Sequence, residues 1–462
     1  MRYLIYSAAV LLPARILFAQ PALPPGLGDP PLPSGLQEEA SELPALPPGL
    51  GLPSKPENND LINKTKPSIN ITGSLEIRAG ARLQKDPVSG NGTLDEVRLQ
   101  LQNRGRMGDW NYRLTGDLLY DSQAESHHID FRSGTGWLDL REATLGGQLN
   151  DHLDLKLGRQ TVTWGTGDLL FINDLFPKDW QSFLLGRDEE YLKAPGNSAR
   201  INFFSDVINL DMVVSPRFDP DRFITGERLA YFDSGSGELV GENANVDPEY
   251  PRDSELALRA HRLVGNAEVA FYFYDGFWKS PAGQTMDGMA NFPELQVTGA
   301  SWRQPGLGGI VYSEIGHYKS KEDRNGMDPL IRNSETRWLL GFERELGQDL
   351  TGSFQYYAEQ RSAHGAFVSQ LSEESTTPDR TRHLLTMRLT KFAMMQNLQL
   401  SLFTFWSPSD RDGYLRPNVL YKIDDNWSVG GGANLFFGNE QSTFFGQFEN
   451  NTNGYLFGKY AF

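Results

Sequence analysis

After residue 70 the chain is built from segments of nine to twelve residues in which apolar and polar side chains alternate. In the first segment, residues 74–84, Leu75 and Ile77 share one face while Glu76 and Arg78 share the other. A period of two is the signature of a β-strand with one apolar face. About eighteen such segments follow one another, so the pattern predicts a large all-β structure.

The connections between these segments are alternately short and long. The short turns are LGGQLND near 145–151, LVGN at 263–266, LGQD at 346–349, MMQN at 394–397 and IDDN at 423–426. A transmembrane barrel places its short turns on one side of the membrane and its long loops on the other. A soluble sandwich also has alternating strands, but it has no reason to sort its loops in this way.

Aromatic residues gather where the segments begin and end, as expected for the girdles of a membrane barrel. They are Trp110, Tyr120, Trp137, Trp338, Tyr414, Trp427 and Phe437. No apolar run reaches the roughly 18 to 20 residues that a transmembrane helix needs. We therefore predict a transmembrane antiparallel β-barrel of about 18 strands, within a range of 16–18, over residues 71–462. A barrel of this size encloses an aqueous channel.

Composition excludes several classes of function. None of the 462 residues is cysteine, which excludes a disulfide scaffold, a thiolate zinc site and a cysteine nucleophile. The net charge of -16 argues against nucleic acid as a partner. Seven histidines are present, and the adjacent His127 and His128 have no third metal ligand at a clear spacing. We predict no enzyme activity, no metal site and no cofactor.

The region before the barrel has two parts. Residues 1–19 carry a basic residue, an apolar stretch and a final alanine, which is typical of a secretory signal peptide. Residues 20–70 form a proline-rich tail, in which PALPPGLGDP at 21–30 recurs as PALPPGLGLP at 44–53. Such a density of proline predicts a disordered tail with extended polyproline II segments. The tail is interpreted either as a spacer or as a docking strip, residues 21–56, for a periplasmic partner.

The loop at residues 165–195 is unlike the others, because it carries many large apolar side chains. They are Leu169, Leu170, Phe171, Ile172, Leu175, Phe176, Trp180, Phe183, Leu184 and Leu185. A loop in water would not hold so many, so we expect it to pack against a surface. We predict that it folds into the barrel; the alternative is an external loop packed on its neighbours or on lipopolysaccharide.

The charges of this loop define a candidate pore constriction. Its residues are Asp168, Asp174, Lys178, Asp179, Arg187, Asp188, Glu189 and Glu190. They are expected to face a basic lumen wall of Arg78, Arg82, Arg98, Arg104, Arg113 and Arg200. Opposed charges would set a field across the narrowest point that favours small polar solutes. The alternative is that these arginines pair with Glu76, Glu96, Asp117 and Asp139 to hold the wall together.

Two stretches resemble known porin-like families. LKLGRQTVTWGTGDLL resembles a motif of the alginate-export porin type and of an uncharacterised related porin family of Gram-negative outer membranes, and the closing region YLRPNVLYKIDDNWSVGGGANLFFG is similar to the same relatives. By this resemblance, Gly158, Arg159, Gln160, Trp164 and Gly165 mark the start of the loop. Strict alternation would turn Arg159 toward lipid, which is costly, so we expect a β-bulge near Gly158.

The chain closes with GYLFGKYAF, in which Tyr460 and Phe462 lie on one face. This resembles the signal by which outer-membrane proteins reach the barrel-assembly machinery. Likewise, a third loop folded inward resembles the constriction loop of general porins. The resemblance spans residues 72–462 and indicates a type of barrel rather than a cargo.

The resulting functional hypothesis is an outer-membrane porin for passive diffusion of small polar or charged solutes. Its surroundings would be outer-membrane lipid and lipopolysaccharide. One alternative is the exit conduit of an export system that docks an envelope partner through the proline-rich tail. Another is an adhesin or surface receptor that uses the long loops near 216–253 and 362–381.

Overall fold

The computed structural model describes residues 71–124, 127–233, 237–242, 244, 246, 248–285, 289–371 and 377–462. The predicted signal peptide and proline-rich tail, residues 1–70, lie outside the described residues. Within the described ranges, no helix combines the length and the apolar character needed to cross a lipid bilayer.

Strands make up most of the described chain. The first eleven are β1 (Ile71–Arg82), β2 (Gly92–Met107), β3 (Trp110–Asp121), β4 (Leu138–Asn150), β5 (Leu153–Gln160), β6 (Gly196–Phe203), β7 (Asn209–Ser215), β8 (Tyr231–Asp233), β9 (Glu238–Val240), β10 (Glu255–Val264) and β11 (Ala267–Phe277). The others are β12 (Gly283–Gln284), β13 (Ala290–Asn291), β14 (Glu294–Gly306), β15 (Gly309–Ser320), β16 (Glu335–Gly347), β17 (Leu350–Arg361), β18 (Thr381–Ala393), β19 (Leu398–Ser407), β20 (Asp412–Lys422), β21 (Trp427–Gly438) and β22 (Asn453–Ala461). Two short α-helices, α1 (Trp180–Leu185) and α2 (His364–Val368), and 3₁₀ turns at Glu189–Leu192 and Gly446–Asn451 lie in the loops.

Eighteen of these strands form one closed antiparallel sheet. Each barrel strand pairs with its neighbours along the chain, and β1 pairs with both β2 and the final strand β22. The remaining four strands form two small ribbons, β8 with β9 and β12 with β13, within loops. The predicted 18-stranded antiparallel barrel is therefore confirmed.

Antiparallel pairing sends successive connections to opposite rims of the barrel. On one rim, which we call the short-turn rim, the connections are two to five residues long, as at 265–266 and 423–426. On the other, the long-loop rim, the connections include residues 161–195 and 216–254. One connection on the long-loop rim, residues 408–411, has only four residues, so the expectation of uniformly long loops there is wrong at this point.

The two sides of the wall differ as the alternation predicts. Outward-pointing apolar side chains such as Phe271 and Leu456 are 61% and 73% exposed, whereas their inward-pointing neighbours Tyr272 and Tyr455 are buried. Tyr414 corrects one expectation, because it is fully buried inside the barrel and stacks on Phe436 with ring centroids 4.7 Å apart. Its aromatic character predicted a place in the outer girdle, but its phase in β20 turns it inward.

Candidate functional site

The connection between β5 and β6, residues 161–195, which we call the inner loop, contacts strands on the far side of the barrel. The guanidinium of Arg388 on β18 bonds the carboxylate of Asp168 at 2.6 Å and that of Glu189 at 3.0 Å. In the ring, β5 is the fifth of eighteen strands and β18 the fourteenth, so they lie on opposite sides. These contacts place the inner loop across the barrel interior.

The apolar residues of the inner loop pack inside the barrel. Helix α1 begins after Asp179, whose carboxylate accepts a hydrogen bond from the Ser182 amide at 2.7 Å, and ends at Gly186 in the left-handed conformation. Its side chains Phe183 and Leu185 are buried in a cluster that includes inward-pointing aromatic residues of the wall. The ring of Phe183 meets that of Tyr414 edge to face at 5.8 Å. Burial of this apolar surface stabilises the loop in its inward position.

Some charged residues of the candidate constriction serve the loop's own structure. Asp174 pairs with Lys178 at 3.0 Å, and both side chains are buried. Asp179 pairs at 3.1 Å with Arg222 of the loop after β7, and Arg222 also pairs with Asp139 at 2.8 Å. Because buried ion pairs are inaccessible to a passing solute, these groups shape the loop rather than line a channel.

The solvent-accessible acids form a different set, which with its basic partners we call the pore cluster. The acids are Asp168, Asp188 and Glu189, and the bases are Arg78, Arg388, Arg416 and Lys459. The acidic side chains keep 31%, 30% and 44% of their surface exposed. Glu190, next in the chain, is also exposed. Accessible acids on the loop thus oppose bases on β1, β18, β20 and β22.

Asp188 shows how the pore cluster holds its charge. Burial works to raise the pKa of Asp188, but the Arg78 guanidinium at 2.6 Å and the Lys459 ammonium group at 3.6 Å outweigh it. Its pKa therefore lies below the usual range of an aspartate. Asp188 remains ionised near neutral pH, with two cationic partners on neighbouring strands.

Three arginines of the predicted basic wall lie at the level of the inner loop and are buried. Arg78 belongs to the pore cluster, and Arg98 pairs with Asp117 at 2.7 Å and with Glu96 at 3.3 Å. Arg82 donates to the Asn451 side chain at 3.2 Å. Arg187 of the loop adds a 2.7 Å bond to Glu96. Arg98 therefore fits the alternative given above, in which an arginine of the wall pairs with neighbouring acids.

The other three arginines lie nearer the short-turn rim and do not bond the inner loop. Arg104 stands directly opposite Arg113 in the ladder between β2 and β3, and both are exposed. Arg113 lies 3.5 Å from Glu142, and Arg200 donates to the Asn202 side chain at 2.9 Å. The six arginines therefore do not form one wall facing the loop.

Several residues of the site were not singled out from the sequence. Arg388 and Arg416 supply the bases opposite Asp168 and Glu189, and Arg222 fastens the inner loop to a second loop. The sequence does predict that Arg388 points inward, because it alternates with the apolar Met387 and Leu389 in β18. Which loop a wall residue meets depends on its height and on its place in the ring, neither of which alternation contains.

The motif at the start of the inner loop corrects another expectation. The ladders from β5 to β4 and β6 run in register through Gly158, so there is no bulge there. Instead, Gly158 adopts φ 117°, and Arg159 is buried, donating to the backbone oxygens of Leu140 at 2.5 Å and Phe131 at 2.6 Å. A Cβ at position 158 would lie 2.1 Å from the Ala143 oxygen. Only glycine fits at position 158, and the Arg159 side chain is covered by protein instead of being exposed to lipid.

The remaining predicted residues are placed as follows. Gln160 is buried and donates to the Ser198 oxygen at 3.2 Å, and Trp164 packs edge to face on Phe176 at 4.9 Å. Phe462 exchanges two 2.9 Å backbone hydrogen bonds with Gly73 at the β1–β22 seam. The Tyr460 ring lies 4.9 Å from that of Trp427. Over the described ranges, no three side chains of the types that ligate metals come together.

Comparison with solved structures identifies similar barrels. The chain resembles Acinetobacter baumannii OccAB4 with a TM-score of 0.51 and 10% identity, over 85% of this chain and 97% of that one. Pseudomonas aeruginosa OccK11 (OpdR) matches with a TM-score of 0.49 and 9% identity, over 85% and 95%. Pseudomonas aeruginosa OccK9 (OpdG) matches with a TM-score of 0.48 and 12% identity, over 85% and 98%.

These solved structures are Gram-negative outer-membrane porins. At such low identity the likeness shows the fold alone, and for that we rely on OccAB4. No family model and no curated protein matches the sequence. The porin-like barrel inferred from the sequence is confirmed as a fold, while the finer resemblance to the alginate-export type stays a prediction.

Proposed function

We propose that this chain is a porin of the Gram-negative outer membrane, in which the inner loop narrows a passage for small polar or charged solutes. The pore cluster carries the proposal, because it sets solvent-accessible acids of the loop against bases of the opposite wall inside a closed barrel. A field of this kind orients polar solutes and weights the passage of ions by charge. The apolar outer surface fits a lipid environment.

The proposal includes an orientation and partners. The short-turn rim would face the periplasm and the long-loop rim the outside, with lipopolysaccharide around the upper wall. Barrel-assembly machinery recognising Tyr460 and Phe462, absence of enzyme activity, and a periplasmic partner of residues 21–56 stay predictions. The export conduit has no independent support, because the proline-rich tail lies outside the described residues.

The absence of cysteine makes a thiol-block experiment clean. The chain without residues 1–19 would be folded in detergent and inserted in planar bilayers, carrying either Glu190→Cys or Asp151→Cys. Glu190 is exposed on the inner loop, whereas Asp151 is exposed in the turn between β4 and β5. Steady single-channel steps that shrink after a charged methanethiosulfonate modifies residue 190, but not residue 151, would support the proposal. No steps from the unmodified protein would refute it.

A further inference from the structure

One buried carboxylate of the wall binds the first limb of the inner loop, residues 165–173. Glu314 of β15 is 2% exposed. It accepts hydrogen bonds from the Gly167 amide at 2.8 Å, from the Thr166 hydroxyl at 3.0 Å and from the Thr166 amide. The side-chain amide and backbone amide of Asn173 donate to its other oxygen at 2.9 and 3.3 Å. Five donors of one limb therefore converge on a single carboxylate.

Glu314 differs from the other buried glutamates of the interior. Glu255 pairs with Lys279 at 2.7 Å, and Glu96 pairs with two arginines. Glu314 has no cation within 4.0 Å in the part of the chain that the structure describes. Its charge is instead met by amide and hydroxyl groups, as in a backbone nest that binds an anion. Since the hydrogen-bond donors to this carboxylate among the described residues all lie in the inner loop, the position of the loop depends on the Glu314 charge.

The backbone of the limb is shaped to wrap around the carboxylate. Gly165 has φ 86° and Leu169 has φ 57°. A Cβ at position 165 would lie 2.9 Å from Glu314 Oε1, so a glycine is needed there. The Gln355 side chain also donates to the Asp168 oxygen and accepts from its amide, both at 2.8 Å. The Trp-Gly pair in the sequence thus begins a segment built around one wall carboxylate.

We propose that Glu314 is a positioning residue of the channel, which sets the width of the passage and the place of the Asp168 charge by holding the limb 165–173. The inference rests on the proposed channel function. Asp168 lies within the limb, and its carboxylate meets Arg388 across the lumen. Loss of the Glu314 charge would release the amide donors, so the limb would move and Asp168 would leave Arg388.

The first test measures the loop without any current. Leu170, which is partly buried in the interior cluster, would be changed to cysteine as a reporter for maleimide labelling. We expect labelling on the order of tenfold faster when Glu314→Gln is added, because local opening exposes the thiol. Glu343→Gln is the matched control. Like Glu314, Glu343 points into the barrel, but from the neighbouring strand β16, and among the described residues it has no hydrogen bond or ion pair with the limb.

The second test restores the position of the limb by a different bond. A Cβ at position 316 would lie 2.7 Å from the Ile172 Cγ2 atom, so a disulfide between these positions is within reach. Glu314→Gln should give larger, noisier steps and a changed reversal potential. Adding Ile172→Cys and Gly316→Cys should restore both under oxidation and lose them again under reductant. If Glu314→Gln only weakened the barrel as a whole, a single disulfide at this place would not restore the conductance and the reversal potential.

A loop-side variant covers the case in which Glu314→Gln fails to fold. Asn173→Leu removes the 2.9 Å donor while leaving the wall unchanged, and it should also speed labelling of residue 170. Unchanged labelling in both folded variants, or in Asn173→Leu alone if the other does not fold, would overturn the inference. Faster labelling in a barrel that never conducts would show that Glu314 holds the limb, and would at the same time refute the proposed channel function.

Discussion

Inside the barrel, the arginines near the inner loop and the arginines near the short-turn rim have different surroundings. At the level of the inner loop, Arg98 is buried between Glu96 and Asp117. Toward the short-turn rim, Arg104 is exposed and stands opposite another arginine, Arg113. The same residue type therefore fixes structure in one half and presents charge to water in the other. Contact with the inner loop makes the difference, because the ring of Tyr191 in that loop covers the Arg98 guanidinium at 4.3 Å, whereas Arg104 stays exposed.

The largest expected effect separates these halves by stability. Arg98→Met leaves Glu96 and Asp117 buried with one partner fewer, so we expect a loss of about 3–5 kcal/mol in the free energy of unfolding. The exposed Arg104→Met should cost no more than about 1 kcal/mol. Urea unfolding of both variants in lipid vesicles gives the comparison. Equal losses would show that the two halves do not differ as described.

The next effect concerns the pore cluster itself. Arg388→Gln removes the base that faces Asp168 and Glu189, so cations should pass more readily relative to anions. A unit charge changes the energy of a passing ion by about 1 kcal/mol at a distance of about 4 Å in a water-like medium, so the permeability ratio should change by roughly fivefold. Reversal potentials in a salt gradient measure it, with Lys391→Gln near the short-turn rim as control. A shift toward anions would contradict the assignment.

A smaller effect is expected from the three arginines nearer the short-turn rim. Replacing Arg104, Arg113 and Arg200 by glutamine should lower the relative permeability of anions by less than about twofold at 0.1 M salt. The Debye length falls to about 3 Å at 1 M salt, so the difference should vanish there. A shift that persists at high salt would indicate that these residues contact the solute at close range.

Mild acid should have the smallest effect. The pKa of Asp188 is depressed, since Arg78 and Lys459 outweigh its burial. Its contribution to stability is therefore complete above the usual aspartate range and is lost only as the pH falls through the depressed value. Conductance attributable to this contact should be the same at pH 7 and pH 5. Conductance should therefore change between pH 7 and pH 5 by the same amount in Asp188→Asn as in the unmodified protein.

The alternation of apolar and polar residues predicts the fold and the direction of each side chain, but it does not predict which residues of the site meet. Period two gave the closed barrel of 18 strands and the inward phase of Arg78 and Arg388, and the apolar content of residues 165–195 pointed to a loop that packs. The partner of each charge was not readable, because Arg388 meets Asp168 from 220 positions away. Tyr414 was misplaced because an aromatic residue near a strand end was given more weight than its phase.

The most direct test of the account is the reversal potential of the channel when the accessible acids alone are removed. Asp168→Asn, Asp188→Asn, Glu189→Gln and Glu190→Gln would be combined, leaving the buried Asp174 and Asp179 intact. We predict steady conductance in both proteins and a lower cation preference in the variant. An unchanged reversal potential, or an unmodified barrel that carries no current, would contradict a passage bounded by the inner loop.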